Sequence, residues 1–313
     1  MMRRIALRLG IILLTLLFVS LAVFLATEAL PGDVAEAILG QSASPEAVAG
    51  LRQALHLDRP AWLRYLMWLG GLLTLDPGVS LVSGDQVAQM IGPRLVNSLK
   101  LAAVTAGLSV PIALALGITS AMKQGSLYDR IVNGATVAIV SVPEFLIATL
   151  AVMIFAVKLR WLPALSFNRD IHTLGQFLYL YAMPVISLTC GVVAQMARMT
   201  RAALADVLRA PFIEMAVLKG AGPIRVVLMH ALPNAIGPIV NAVALSLSAL
   251  LGGVVVIETI FSYPGVAKLM VDAVATRDMP LVQCCAMIFC AAYLLLVGLA
   301  DIVAILTSPK GAR

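Results

Sequence analysis

Six long stretches of this chain carry no charged side chain, or only one, and they limit what it can fold into. They are Leu9–Thr27, Leu101–Met122, Ile131–Val157 (interrupted by Glu144 alone), Ile171–Ala197, Val226–Ile257 and Met279–Ala300. Each supplies the roughly 20 apolar residues that a helix needs to cross a bilayer. The composition agrees, with 61% hydrophobic residues, 12% charged residues and a mean hydropathy of +1.00, far from a soluble domain. The expected fold is all-α: a polytopic membrane protein with six transmembrane helices. Arg3, Arg4 and Arg8 precede the first run, as they would in a secretory signal. That run is longer than the roughly 7–15 apolar residues of such a signal, so it reads as a retained helix.

Lysine and arginine set the expected orientation. With the N-terminus inside, the inner segments carry Arg3, Arg4, Arg8, Lys123, Arg130, Arg198, Arg201, Arg209, Lys219, Arg225, Lys310 and Arg313. The two short outer loops carry Lys158, Arg160, Arg169, Lys268 and Arg277. Twelve against five places both termini, and the loop at 198–235, in the cytoplasm. The long first outer loop is exempt from that count, because charges in long loops bias orientation little. The net charge of +6 expresses this asymmetry and does not point to nucleic acid.

The chain reads as residues 1–30, a tail and first transmembrane helix; 31–97, an extracytoplasmic insertion; and 98–313, a core of five transmembrane helices. In the insertion, Leu30-Pro31-Gly32-Asp33 forms a turn. Ser44 then caps a helix over about Pro45–Leu55, which has proline at its first position and ends near His56-Leu57-Asp58-Arg59-Pro60. A second segment, Ala61–Leu75, holds Trp62, Tyr65 and Trp68. These aromatics suit either a membrane interface or a cap over the helix bundle.

The chain offers little chemistry of its own. Cys190, Cys284, Cys285 and Cys290 fall within predicted spans, where cysteine acts as a small hydrophobe, and His56, His172 and His230 are scattered. No metal site is expected. No glycine precedes a lysine, so the phosphate-cradling loop of ATP hydrolases is missing, as are a His-Glu-x2-His pair and a Gly-x-Ser-x-Gly elbow. The ionisable residues placed in the spans, Glu144 and Asp301, belong to different helices. The chain is therefore not expected to be an enzyme.

The polar loop Arg198–Ala235 is the most informative segment. The fourth span continues through Met199–Leu208, and Pro211 opens a short helix, Phe212–Lys219, since its missing N–H is unneeded in a first turn. Gly220 fits the left-handed position that closes such a helix, and Gly222-Pro223 breaks the chain again before a helix from Ile224 towards Pro233. Glu214 sits near the positive end of the short helix dipole, and Ala216 has no bulk to keep a partner surface away. Two breaks bracketing eight residues favour a docking element over an amphipathic turn lying on the membrane.

Here the residues carry a resemblance. Glu214, Ala216, Gly220, Leu232 and Pro233 match the Glu-Ala-Ala-x3-Gly-x9-Ile-x-Leu-Pro loop of the permease subunits of ATP-binding-cassette importers, with Met215 for the second residue and His230 for the isoleucine. The chain resembles the first permease of the dipeptide, oligopeptide and nickel importers. Leu57-Asp58-Arg59-Pro60, Ser141-Val142-Pro143-Glu144-Phe145, Gly252-Gly253, Glu258-Thr259-Ile260-Phe261-Ser262-Tyr263-Pro264-Gly265 and Arg277-Asp278-Met279-Pro280 extend the similarity over nearly the whole length. Tyr263, Met279 and Pro77 depart from the pattern at packing scale.

The resemblance implies a type I importer permease fold in a bacterial inner membrane, forming half of a translocation pore. It implies a heterodimer with a second, related permease, two ATP-binding subunits, and an extracytoplasmic solute-binding protein that delivers cargo. ATP and Mg2+ would be held by those ATPase subunits, with no cofactor in this chain. The helix Phe212–Lys219 would sit in an ATPase groove and transmit its closure to the spans in an alternating-access cycle. Dipeptides, longer peptides, glutathione-like molecules, nickel chelates and opines all fit as cargo. The rival classes are a secondary active transporter, which would need coupling-ion residues at the midplane, and a polytopic membrane enzyme, which would need the missing catalytic groups.

Two further sets of residues are candidates for the pore and gate. Glu144 lies thirteen residues into the run from Ile131, near the midplane of a continuous helix, with Pro143 able to bend it. A carboxylate there either lines the pore or, protonated or hydrogen-bonded, ties two helices together. Glu258, Phe261, Tyr263, Pro264 and Gly265 follow the fifth span and lead to a short helix, Val266–Ala275, with Asp278 beyond it. That stretch is expected to narrow the outer mouth as a re-entrant or surface segment, the alternative being an inert connector.

Overall fold

In a computed structural model, residues 2–29, 44–54, 58–166 and 173–307 are described. The turn expected at Leu30–Asp33, His56, Leu57, Arg169, His172, Lys310 and Arg313 lie outside them. The described residues are helical throughout, apart from turns and one isolated antiparallel bridge between Val79 and Gln86.

In chain order the helices are α1 (Met2–Glu28), α2 (Pro45–Ala54), α3 (Ala61–Leu73), α4 (Val87–Met122), α5 (Leu127–Val140) and α6 (Glu144–Ala151). A π-helical stretch, Val152–Lys158, extends α6. Then come α7 (Leu174–Leu208), α8 (Pro211–Leu218), a turn at Pro223–Arg225, a second π stretch at Val226–Ala231, α9 (Leu232–Ile260), α10 (Val266–Thr276) and α11 (Met279–Thr307).

Five helical stretches are long and apolar enough to cross a membrane: Ala6–Glu28, Val87–Met122, Gly175–Leu208, Pro223–Ile260 and Met279–Val303. The sixth expected span is the pair Leu127–Val140 and Glu144–Lys158, bent by 97° at the break between them. The run from Ile131 is thus not one straight helix. Pro143 has no N–H to continue the ladder and disfavours helical geometry in Val142. Two boundaries also move: α4 begins at Val87, inside the segment assigned to the insertion, and the last stretch of the 198–235 loop runs straight on through Pro233 into α9. The π stretch directly before Leu232-Pro233 loosens the ladder where proline lacks a donor, so the helix continues.

The chain divides into two compact units. One comprises Met1–Arg8, Lys100–Tyr263 and Tyr293–Arg313; the other Leu9–Leu99 and Pro264–Ala292. In the first unit α7 packs along α9 and also meets α5 and α6. Gly117 on α4 allows a close approach to α7, since a Cβ there would stand 2.7 Å from the Ala197 carbonyl oxygen and 2.8 Å from the Thr200 Cβ. Arg8 pairs with Asp301 at 2.9 Å, so that acid has a partner.

In the second unit α3 lies on α1. Tyr65 shares a hydrogen bond of 2.9 Å with Ser20, Phe24 meets Tyr65 edge-on at 5.4 Å, Trp68 stacks beside both, and Arg64 pairs with Glu28. Tyr65 and Trp68 therefore pack on α1 while Trp62 points outward, 65% exposed. Val87, Ile91, Val266, Leu269, Ala273, Leu281, Cys284 and Cys285 form this unit's core.

Candidate functional site

The short helix of the 198–235 loop is built from two local signals. Pro211 occupies the first turn of α8 behind Ala210, and Gly220 closes the helix at φ +83°. The Gly220 N–H donates to the Val217 carbonyl at 2.9 Å and the Ala221 N–H to that of Ala216 at 3.2 Å, which satisfies two end carbonyls. Ile213 and Ala216 point inward. Ile213 joins Ala121, Leu204, Val226, Val227, Ala231, Ala235 and Ile239 in one buried cluster, so the short helix rests on the ends of α4 and α7 and on the π stretch.

Ala216 is buried within the chain itself and is not part of the exposed side of α8. The outward face is Phe212, Glu214, Met215, Val217 and Leu218, all exposed, with Leu218 at 74%. Ile224, Leu228 and Met229 extend that apolar surface across a shallow concavity lined also by Gly222, Pro223 and Arg225. Leu232 is half-buried and Pro233 exposed at the start of α9. Exposed apolar residues so close together suit contact with lipid or with another protein more than with water.

Beneath this element lies an ionic cluster that sequence reasoning missed. Asp129, 4% exposed, accepts from Arg201 Nε at 2.6 Å and Nη2 at 2.7 Å, from Ser120 Oγ at 2.5 Å and from the Gly125 N–H at 2.9 Å. Ser126 caps α5 by accepting from the Asp129 N–H at 3.2 Å. A Ser-x-x-Asp pattern at a helix start was the available signal, and it reads as an ordinary cap.

Glu144 starts α6 just past the 97° bend. Depth counted along a continuous helix therefore does not apply to it. Its carboxylate lies against two glycines: a Cβ on Gly191 of α7 would stand 3.5 Å from Oε1, and one on Gly253 of α9 would stand 3.0 Å from Cδ. The side chain is half-buried.

The end of α9 and the stretch after it are interior in this structure and do not form a surface loop. Glu258, Phe261 and Tyr263 are each at most 1% exposed. The Tyr263 N–H donates to the Glu258 carbonyl at 2.8 Å, Tyr181 of α7 meets the Tyr263 ring edge-on at 5.0 Å, and the Ser166 N–H holds the Phe261 carbonyl at 2.8 Å. Ser262 between them takes φ +49°, an uncommon conformation for a residue with a side chain. Burial pushes the Tyr263 phenol above its ordinary value, with Tyr181 and Glu258 acting in the same direction. In the second unit the turn is pinned to α4: Asn97 Nδ2 donates to the Pro264 carbonyl at 3.0 Å, and the Val266 N–H beyond buried Gly265 donates to Ser98 Oγ at 2.9 Å. Asp278, 2% exposed, accepts from Ser80 Oγ and from the Leu81 N–H at 3.1 Å, and so ties a loop to the start of α11. Among the described residues no group of His, Cys, Asp or Glu is placed to hold a metal ion.

Known proteins resemble the chain over most of its length. Residues 113–310 match the model of the binding-protein-dependent transport system inner membrane component, and residues 1–102 match the N-terminal model of the same membrane components. The chain is 31% identical to a protein of Sinorhizobium fredii named "Probable peptide ABC transporter permease protein", over 93% of both chains. It is 36% identical to the glutathione transport system permease protein of Pectobacterium atrosepticum, over 92% of this chain and 91% of that one. The counterpart in Escherichia coli K12 is 34% identical over 92% of both. An inward-facing structure of the MetNI methionine ABC transporter superposes with a TM-score of 0.56 at 17% identity, covering 70% of this chain and 97% of that one, and shows the same fold.

Proposed function

Since the chain belongs to the family of binding-protein-dependent transport system inner membrane components and is a multi-pass permease of the bacterial inner membrane, we propose that it forms half of the pore of a peptide-class importer. The other half is a related second permease. Two ATPase subunits supply ATP and Mg2+ chemistry from the cytoplasm, where both termini and the 198–235 loop lie, and an extracytoplasmic binding protein delivers a peptide or glutathione-like solute. The observation that carries this reading is α8: a helix of eight residues, anchored by Ile213 and Ala216, that presents an exposed apolar face with one carboxylate. Such a helix suits a groove on another protein. In operation, closure of the ATPases on ATP would push on α8 and open the pore outward, and hydrolysis would return it.

Purification of the tagged chain from its own cells, followed by reconstitution into liposomes, tests this directly. The expected result is co-purifying ATPase subunits and solute uptake that needs internal-face ATP and the binding protein. Uptake driven by an ion gradient without ATP would replace this reading with a secondary transporter.

Within the pore, Glu144 is proposed to pass the positive end of a peptide. Glu144→Gln keeps shape and hydrogen-bonding capacity, so assembly and basal ATPase activity should persist while uptake of cationic cargo falls. Gly253→Ala should act in the same direction. The new methyl displaces only the end of a flexible side chain, so stability stays near wild type while the carboxylate moves. Loss of assembly in Glu144→Gln would instead make the residue a tie between α6, α7 and α9.

A further inference from the structure

We propose that Asp129 and Arg201 are a positioning pair that locks the loop-side ends of α4, α5 and α7 into one rigid lever beneath the docking helix α8. The proposal rests on the reading of α8 as the ATPase-docking helix.

Three successive turns of one face of α7 carry it. At Ala197 and Thr200 the face meets Gly117 of α4 too closely to admit a Cβ. One position on, Arg201 grips Asp129 of α5 with two parallel bonds. One turn further, Leu204, fully buried, packs in the cluster that holds Ala121 of α4 and Ile213 of α8. A push on α8 therefore reaches Leu204 and Ala121, whose neighbours Arg201 and Ser120 converge on the same carboxylate.

The hydrogen bonding of Asp129 is full. Its two oxygens offer about four acceptor sites. They receive four donors from three places in the chain: two from Arg201, one from Ser120 and one from the Gly125 N–H, with Gly125 itself turned to φ +81°. Charge neutralisation alone needs one contact, whereas four convergent donors fix a position. No acceptor capacity remains for cargo or for a travelling proton, so the pair serves mechanics and not solute binding. The planar fork of arginine is what makes the two-point grip, and lysine offers only a point charge.

The test uses the complete complex with its native cysteines replaced and spin labels at Lys219, which follows α8 outside its apolar outward face, and at Ile131 of α5, both exposed. The label-to-label distance is measured without nucleotide and after trapping with ATP and orthovanadate. The wild-type distance should stay constant, because both labels ride on one lever. In Asp129→Asn and Arg201→Lys it should broaden and shift on trapping. The same variants should keep their ATPase subunits and basal ATP hydrolysis while solute uptake per ATP falls at least about tenfold, the scale set by losing one charge-assisted contact. Asp129→Asn/Arg201→Gln leaves no buried charge unpaired, so it should assemble even where a single variant does not, yet stay uncoupled. A wild-type distance that shifts on trapping overturns the lever, as does a double variant that couples like wild type. A wild-type chain that never retains ATPase subunits would fail earlier, at the docking reading itself.

Discussion

Gly117→Val should largely remove the protein from the membrane. The first side-chain atom at this position would stand 2.7 Å from the Ala197 carbonyl oxygen and 2.8 Å and 2.9 Å from Cβ and Cγ2 of Thr200. A backbone oxygen cannot swing aside as a long side chain can, so α4 and α7 must separate. Overpacking of this kind costs about 1–3 kcal/mol even where neighbours can adjust. Here separation also stretches the bonds from Ser120 and Arg201 to Asp129, and leaving that carboxylate buried without its partner costs about 3–5 kcal/mol more. Gly117→Ala should lower the melting temperature of the purified complex measurably. Gly107→Ala, on the same helix but with nothing within 4 Å, should not. Equal melting temperatures for the two alanine variants would contradict the close approach.

Gly220→Val should leave the complex assembled and hydrolysing ATP but reduce uptake per ATP by an order of magnitude or more. Space is not the obstacle, since nothing lies within 4 Å of the missing Cβ. Conformation is the obstacle: at φ +83° a residue with a side chain carries strain of about 1–3 kcal/mol, and a β-branched one is worst placed to bear it. Relief requires the turn to change hand, which breaks the bonds from Gly220 and Ala221 back to Val217 and Ala216 and re-aims the end of α8. Gly220→Asn, which tolerates this region better, should retain more coupling, and Glu214→Ala should be milder still because a single exposed charge contributes little. Uptake and hydrolysis measured on the same vesicles separate these outcomes. Wild-type uptake by Gly220→Val would contradict the role given to the turn.

Much of this was legible because it is local. Apolar runs of sufficient length became the spanning helices, Pro211 opened α8 and Gly220 ended it with positive φ, each residue acting on its own backbone. What was not legible depends on partners far along the chain. Pro143 announces a break, but the 97° angle is accompanied by Glu144 packing on Gly191 and Gly253, which no spacing encodes. Pro233 resembles a helix breaker, yet a π stretch just before it carries the helix through. Ala216 lies on the buried side of α8, which its residue type alone does not announce. Arg201 reads as one more basic residue beside a membrane, because its carboxylate lies 72 positions away. Phe261 and Tyr263 look like loop aromatics until the Ser166 strap and the Tyr181 ring enclose them.

The central claim is that the outward face of α8 seats on an ATPase. Single cysteines at Met215, Leu218 and Ala216, in a chain stripped of its four native cysteines, test it with a short thiol cross-linker applied to the intact complex. Met215 and Leu218 are 55% and 74% exposed, whereas Ala216 is buried against its own loop. The account predicts cross-links to an ATPase subunit from Met215→Cys and Leu218→Cys, weakened or strengthened by ATP, and none from Ala216→Cys. An intact, ATP-hydrolysing complex in which neither outward position reaches an ATPase would contradict it.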